Sequence, residues 1–133
     1  MPPLSQKLIR IALCYLVAGI VLGAALLAEK GLGGTLRLWA LLPIHIEFLF
    51  FGWMVHLVFG VASWILPRTA AHARPRALML AALLLNAGIV LVCAGALMPG
   101  FSMAPGRGLE IGAVAAFAFH LWPRVRPFMR HVH

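Results

Sequence analysis

The chain has 133 residues, of which 63% are hydrophobic and 11% are charged, and its mean hydropathy is +1.00. A water-soluble domain of this length cannot bury so much apolar surface, so the composition predicts an integral membrane protein that forms one unit. The formal net charge is +8. In a membrane protein we expect the basic residues to lie at helix ends, against anionic lipid headgroups, so we do not take this charge as a sign of nucleic-acid binding.

Four apolar segments predict an all-α bundle of four transmembrane helices, since a span needs about 20 residues. The segments are Leu8–Ala28, Leu38–Leu66, Ala77–Met98 and Gly108–Trp122. The second is longer than one span, and Pro43 suits the first turn of a helix, so we expect residues 38–42 to lead into a span that begins there. The fourth is short, and we expect it either to begin near Pro105 or to lie where the bilayer is thinned.

The basic residues predict how the four helices are oriented. Eight of the 11 fall on the side of the two termini, and the other three fall on the opposite side. The three are Lys30, Arg37 and Arg107. The positive-inside rule then predicts that both termini face the cytoplasm. The expected location is a bacterial cytoplasmic membrane.

The second segment carries a stripe of small and nitrogen-bearing side chains. At 100° per residue, its members fall within about 40° of one line, with Gly60 slightly off it. The members on the line are His45, Leu49, Gly52, His56 and Ser63. Ionisable groups inside a span are costly and are functional candidates by default. The stripe therefore suits a flat cofactor or a close neighbouring helix.

The histidines of this stripe have competing interpretations. Imidazole is the commonest protein ligand of haem iron, so His45 is a candidate ligand, with Gly52, His56 and Gly60 as further cofactor-binding residues. The alternative for His45 is a hydrogen bond to a neighbouring helix. His56 lies about 16 Å further along, too far to share one ligand position. It is a second site, a proton-relay group or, as the favoured interpretation, a partner in a helix–helix hydrogen bond.

The other ionisable groups in the spans are expected to have structural roles. Glu47 points about 160° away from His45 at a similar depth, so it is protonated or meets another helix or a second protomer. Glu110 is expected to pair with Arg37 or Arg107 at the outer surface. His120 is expected to lie at the membrane interface. A Cys-x-x-Cys-His motif is absent, which excludes covalent haem attachment and leaves non-covalent haem open.

The second segment resembles a helix of known haem proteins. His45, Gly60, Pro67 and the closing Arg68 are similar in type and spacing to the low-spin-haem helix of haem–copper oxidase catalytic subunits and nitric-oxide reductases. The run HIEFLFFGW is similar to the HxHEMLFGF run of NnrS-type haem proteins, with the second histidine missing and one residue inserted. The helix ends ILPR and FAFHLWPR make the chain similar to short four-helix cytochrome oxidase subunit I-like proteins.

The resemblance implies a ligand and its partners. His45 would be an axial ligand of a b-type haem near the outer face, and Arg37 and Arg107 would meet the haem propionates, because guanidinium groups bind carboxylates through paired hydrogen bonds. The chain lacks the oxidases' distant axial histidine and their copper-binding histidines. Oxygen reduction by this chain alone is therefore not expected.

The second axial position is open in the sequence. A homodimer can supply His45 from two protomers at equal depth. Met98 or Met103 can instead complete a His/Met site. A five-coordinate iron is the third alternative, and it leaves room for nitric oxide, oxygen or carbon monoxide.

These observations give three functional hypotheses. The leading one is a haem-b-binding membrane protein that transfers electrons with a redox partner or binds a diatomic gas, as a homodimer or other homo-oligomer. The second is a non-catalytic accessory or assembly subunit of a membrane respiratory complex, which docks through the Gly52–His56–Gly60 stripe. A small proton-coupled transporter using Glu47 or His56 ranks last, because Leu8–Ala28 contains no carboxylate.

Overall fold

The computed structural model describes residues 1–34, 38–66 and 75–125, and these ranges contain helices and turns but no strand. The four long helices are α1 (Pro3–Gly31), α2 (Leu38–Ile65), α3 (Pro75–Leu97) and α4 (Ala104–Leu121), and a 3-10 turn, Trp122–Arg124, follows α4. The all-α prediction is confirmed for these ranges. Several residues singled out from the sequence lie outside them: Arg37, Pro67, Arg68 and His72.

Glycine and proline set the limits of α1. Pro3 stands in the first turn, where a missing N–H costs nothing, and the preceding residue is extended. After Gly31, two glycines take positive φ, +92° at Gly33 and +61° at Gly34. Side chains other than glycine rarely adopt this conformation, so the chain turns here towards α2.

The α2 helix changes its winding along its length. A 3-10 turn, Leu38–Leu41, precedes an α-helical stretch, Leu42–Glu47, with Pro43 in its first turn. This agrees with the expected lead-in. The next eight residues, Phe48–Val55, form a π-helix, and His56–Ile65 returns to α-helix. The π-helical stretch was not predicted. Such segments are rare inside α-helices, and those that occur are often found at functional sites.

The helices pack as an antiparallel bundle, and we call the end that holds the α1–α2 and α3–α4 connections its distal end. Glycines bring α3 and α4 close together: a Cβ on Gly106 would lie 2.8 Å from the carbonyl oxygen of Gly88. Phe59 of α2 stacks on Phe117 of α4 with ring centroids 3.9 Å apart in the core. Small residues allow such close approach between membrane helices.

Three of the helices are long and apolar enough to cross a membrane, and they are Pro3–Gly31, Leu38–Ile65 and Arg76–Leu97. Large apolar side chains such as Val17, Val21 and Leu27 are exposed along them. This is the pattern of a protein with membrane-spanning helices. The α4 helix begins at Ala104, close to the expected start near Pro105, and carries Arg107 and Glu110.

Candidate functional site

His45 lies half-buried on α2, where it meets α1. Its Nδ1 is 2.8 Å from the carbonyl oxygen of Gly19. A carbonyl only accepts, so Nδ1 carries the proton and donates it, and Nε2 keeps its lone pair. A Cβ on Gly23 would lie 2.5 Å from Cε1 of His45. The hydrogen bond to a neighbouring helix, which was the alternative interpretation of His45, is therefore present, and it occupies one of the two ring nitrogens.

A pocket of about 420 Å³ adjoins His45 near the distal end of the bundle. It is lined by Ile20, Gly23, Ala24, Leu26, Leu27, Trp39, Leu42 and His45. All of these residues belong to α1 and α2. Among these described residues, the imidazole is the only ionisable side chain. The exposed side chains of Ile20, Leu27 and Trp39 place the pocket at the surface of the bundle.

The rest of the stripe packs against α1. A Cβ on Gly52 would lie 2.5 Å from the ring of Tyr15, and one on Gly60 would lie 2.8 Å from the side chain of Ile9. Residues 45, 52 and 60 thus meet residues 23, 15 and 9 in antiparallel order. The close neighbour that the stripe allows is α1. The role of Gly52 and Gly60 as cofactor-binding residues stays a prediction.

His56 is buried and belongs to a partly buried hydrogen-bond network that joins three helices. Its Nδ1 donates to the carbonyl oxygen of Phe51 at 3.1 Å, and its Nε2 accepts from Nδ2 of Asn86 at 2.8 Å. Asn86 also donates to the carbonyl of Ala82 and accepts the hydroxyl of Tyr15 at 3.0 Å. Both imidazole nitrogens are occupied. The predicted helix–helix hydrogen bond of His56 is confirmed, and neither nitrogen is left for iron.

A second polar cluster joins α2 to α4. Nη1 of Arg107 lies 2.8 Å from Oε2 of Glu47 and 2.7 Å from Oε2 of Glu110, and both glutamate side chains are 0% exposed. The guanidinium carbon lies 5.2 Å from the ring centroid of Phe51. The predicted pairing of Glu110 with Arg107 is confirmed, and 41% of the Arg107 side chain remains exposed. Glu47 meets another helix, on the opposite face of α2 from His45.

His120 lies at the other end of the bundle. Its Nε2 accepts from Nη2 of Arg124 at 3.0 Å, and its side chain is buried. Arg124 belongs to the 3-10 turn that follows α4. His120 therefore packs inside the bundle near a helix end, while the neighbouring Trp122 is exposed.

Sequence reasoning missed the residues that position the two histidines. Gly19 and Gly23 are four residues apart, a spacing of small residues that marks close helix contacts in membranes, so this signal was available. Asn86 is a polar side chain inside an otherwise apolar helix, which was a second available signal. Tyr15 is the single tyrosine of the chain, and nothing local marked it as a partner of Asn86.

Comparisons with protein-family models, with curated proteins and with solved structures found no match to this chain. Within residues 1–34, 38–66 and 75–125, no three His, Cys, Asp or Glu side chains come together to hold a metal ion. The resemblance to haem–copper oxidases accordingly rests on the residues of the second segment, and function has to be argued from geometry.

Proposed function

We propose that this chain binds b-type haem through Nε2 of His45 and transfers electrons or binds a diatomic gas. The observation that carries the proposal is the hydrogen bond from Nδ1 of His45 to the Gly19 carbonyl. Histidines that ligate metals usually donate their other ring N–H to a carbonyl or carboxylate, which fixes the tautomer and the ring orientation. His45 has this arrangement.

The surroundings of His45 suit a flat apolar group. The adjoining pocket, about 420 Å³, is within the range of roughly 300–1,000 Å³ that is common for small-molecule sites. The walls that the described residues form are aliphatic and aromatic except for the imidazole itself. When bound, a haem supplies a one-electron redox centre and, where an axial position is open, a site for a diatomic gas.

The two arginines predicted to bind the haem propionates, Arg37 and Arg107, are not equally suited to that role. Arg107 is engaged by two buried carboxyl groups, Glu47 and Glu110, on the far face of α2. The proposal therefore assigns the propionate role first to Arg37, which precedes α2 in the sequence and lies outside the described residues. Removal of Arg37 is expected to weaken haem binding more than it changes stability.

We further propose that α4 is a fourth span and that both termini face the cytoplasm of a bacterial cell. The proposal is supported by the antiparallel packing of α4 on α3. The Arg107 ion pairs also support it, because they reduce the charge that α4 would otherwise present to lipid. The excess of basic residues near the termini gives the direction.

Haem titration of the purified protein tests the proposal. Apoprotein in detergent is expected to bind haem saturably, with a Soret band that His45→Ala abolishes. His72→Ala, which removes a histidine from another part of the chain, is the matched control and should bind as wild type does. Equal binding by wild type and His45→Ala would refute His45 as the ligand.

A non-catalytic accessory or assembly subunit is the second candidate. The Gly52–His56–Gly60 stripe packs against α1 of the same chain, so docking would need another surface. On α4, Gly108 and Gly112 have open space where a Cβ would stand, which leaves room for a helix of a larger complex. Stable co-purification of such a complex without any cofactor would favour this function.

A further inference from the structure

We propose that a groove between α1 and α3 binds one anionic phospholipid, with an acyl chain in the groove and the phosphate group at Lys7 and Arg10. At 100° per residue, the α1 residues that line this groove lie on the opposite face of the helix from those that line the His45 pocket. The lipid site is therefore separate from the proposed haem site and does not depend on it.

The groove has a volume of about 620 Å³ and is formed by three helices. The α1 wall includes Arg10, Tyr15 and Ala18, the α3 wall consists of Leu83 and Asn86, and Phe48 of α2 lies between the walls. The ring of Phe48 packs on that of Tyr15, with centroids 5.4 Å apart. Leu83 is 57% exposed, so the groove is open along the surface of the bundle, where lipid lies in a membrane.

The polar side chains inside the groove already bond within the protein. The Tyr15 hydroxyl donates to Oδ1 of Asn86 at 3.0 Å. Nδ2 of Asn86 lies 2.8 Å from Nε2 of His56 and 2.8 Å from the Ala82 carbonyl oxygen, so both amide hydrogens are used. An apolar ligand can lie against these groups without leaving a donor unpaired. A hydrocarbon chain has this property.

Basic side chains stand at the end of the groove opposite to the distal end of the bundle. Arg10 is part of the lining. Lys7 is seven residues before Cys14, another lining residue, and Arg76 is seven residues before Leu83, so both continue the faces that form the groove. The three basic side chains are exposed. A negatively charged group at this end therefore meets several positive charges.

The chain has no acidic side chain to pair with these cations. It has three acidic residues, and Glu29, Glu47 and Glu110 all lie in the distal halves of their helices. A counter-charge has to come from another molecule. Guanidinium groups pair with phosphate through two parallel hydrogen bonds, and basic pockets between membrane helices bind anionic headgroups. A phospholipid supplies both the anion and the hydrocarbon chain that the groove accommodates.

Native mass spectrometry of the full-length protein tests the headgroup contacts. One phosphatidylglycerol molecule per chain should be retained, and phosphatidylcholine with the same acyl chains should bind more weakly, because choline cancels the phosphate charge. Lys7→Gln and Arg10→Gln should each weaken phosphatidylglycerol binding about fivefold. Lys30→Gln, which removes an exposed lysine at the other end of α1, is the matched control and should bind as wild type does. Equal retention of the two lipids, unchanged binding in Arg10→Gln, or an equal loss in Lys30→Gln would overturn the proposed site.

A second pair of variants tests the acyl-chain contact. Ala18→Phe should fill part of the groove and weaken phosphatidylglycerol binding. Val17→Phe, at the neighbouring exposed position outside the described lining, is its matched control. Inorganic phosphate at the concentration of the lipid should not displace it, because phosphate has no acyl chain. Equal binding by the two variants, or displacement by phosphate, would overturn a lipid site in this groove.

Discussion

Two histidines on one helix face illustrate how hydrogen bonding decides the chemistry open to a side chain. His56 uses both ring nitrogens within the protein, through Phe51 and Asn86. Within the ranges that the structure describes, His45 bonds through Nδ1 alone, and its ring borders a pocket. The same residue type at similar helical phase is a structural link in one case and a candidate ligand in the other.

The close contact between the His45 ring and Gly23 can be tested directly by substitution. Gly23→Ala places a Cβ 2.5 Å from Cε1 of His45, so the ring must shift, which strains its bond to Gly19. Gly108→Ala is the matched control, since its Cβ meets nothing within 4 Å. We expect Gly23→Ala to be less stable than the control by ~1–3 kcal/mol in detergent unfolding, a typical cost of overpacking. Equal stability of the two variants would mean that the contact with Gly23 does not hold the ring.

The link between His56 and Asn86 is measurable by a double-mutant cycle. His56→Ala and Asn86→Ala each break the same hydrogen bond, so their effects on the free energy of unfolding should not add. The coupling is expected to be ~0.6 kcal/mol and at most about 1.7 kcal/mol, the range found for hydrogen bonds between membrane helices. The cycle is measured by unfolding in mixed detergents. Strictly additive effects would exclude a direct bond in the folded protein.

At the scale of the helix, α2 shows what a local pattern can and cannot predict. Helical periodicity assigned His45, Gly52 and Gly60 to one face, because side-chain direction follows from spacing alone. The same reasoning predicted that Glu47 lies on the face of α2 opposite to His45, and the structure places it there, against Arg107 of α4. Periodicity could not identify α1 as the neighbour of the stripe or Asn86 as the partner of His56, because these contacts join residues distant in sequence.

The π-helical stretch of α2 could not be predicted from the local sequence either. Phe48–Val55 contains no proline, and propensity does not distinguish π from α winding in such a run. The carbonyl of Phe51, within the stretch, accepts the Nδ1 proton of His56. The winding and the network therefore belong to the same tertiary arrangement, and a sequence pattern does not contain that information.

The junction of α2 and α4 yields a prediction at the scale of the element. Arg107→Gln leaves the buried carboxyl groups of Glu47 and Glu110 without their cation. Because 41% of the Arg107 side chain is exposed, the expected loss is smaller than for a fully buried pair, ~1–3 kcal/mol. Arg10→Gln, at an exposed position on α1, should change stability little. Adding Glu47→Gln and Glu110→Gln to Arg107→Gln should restore much of the loss. Chemical or thermal unfolding in detergent measures all three, and a silent Arg107→Gln would show that the cluster does not hold α4 in place.

At the scale of the whole molecule, the pairing of α1 with α2 and of α3 with α4 accounts for a compact bundle with few polar groups. Two groups of polar side chains join helices: the Tyr15–Asn86–His56 network connects α1, α3 and α2, and the Arg107 cluster connects α2 and α4. Composition was sufficient to predict membrane helices. It was not sufficient to predict which polar groups would meet, since this depends on helix arrangement.

Reporter fusions test the proposed topology of the whole chain. A reporter active only in the cytoplasm should be active after residue 133, and one active only outside should be active when inserted between Gly33 and Gly34. An even number of spans with basic residues near both termini gives this outcome. A terminal fusion active only outside would reverse the orientation, and termini on opposite sides would exclude α4 as a span.

The reduced-minus-oxidised optical spectrum of the wild-type protein, purified from cells supplied with haem, tests the role of His45 most directly. We predict the Soret and visible bands of a b-type haem, present in wild type and in His72→Ala and absent in His45→Ala. A folded wild-type protein that is colourless and takes up no haem would contradict haem binding altogether.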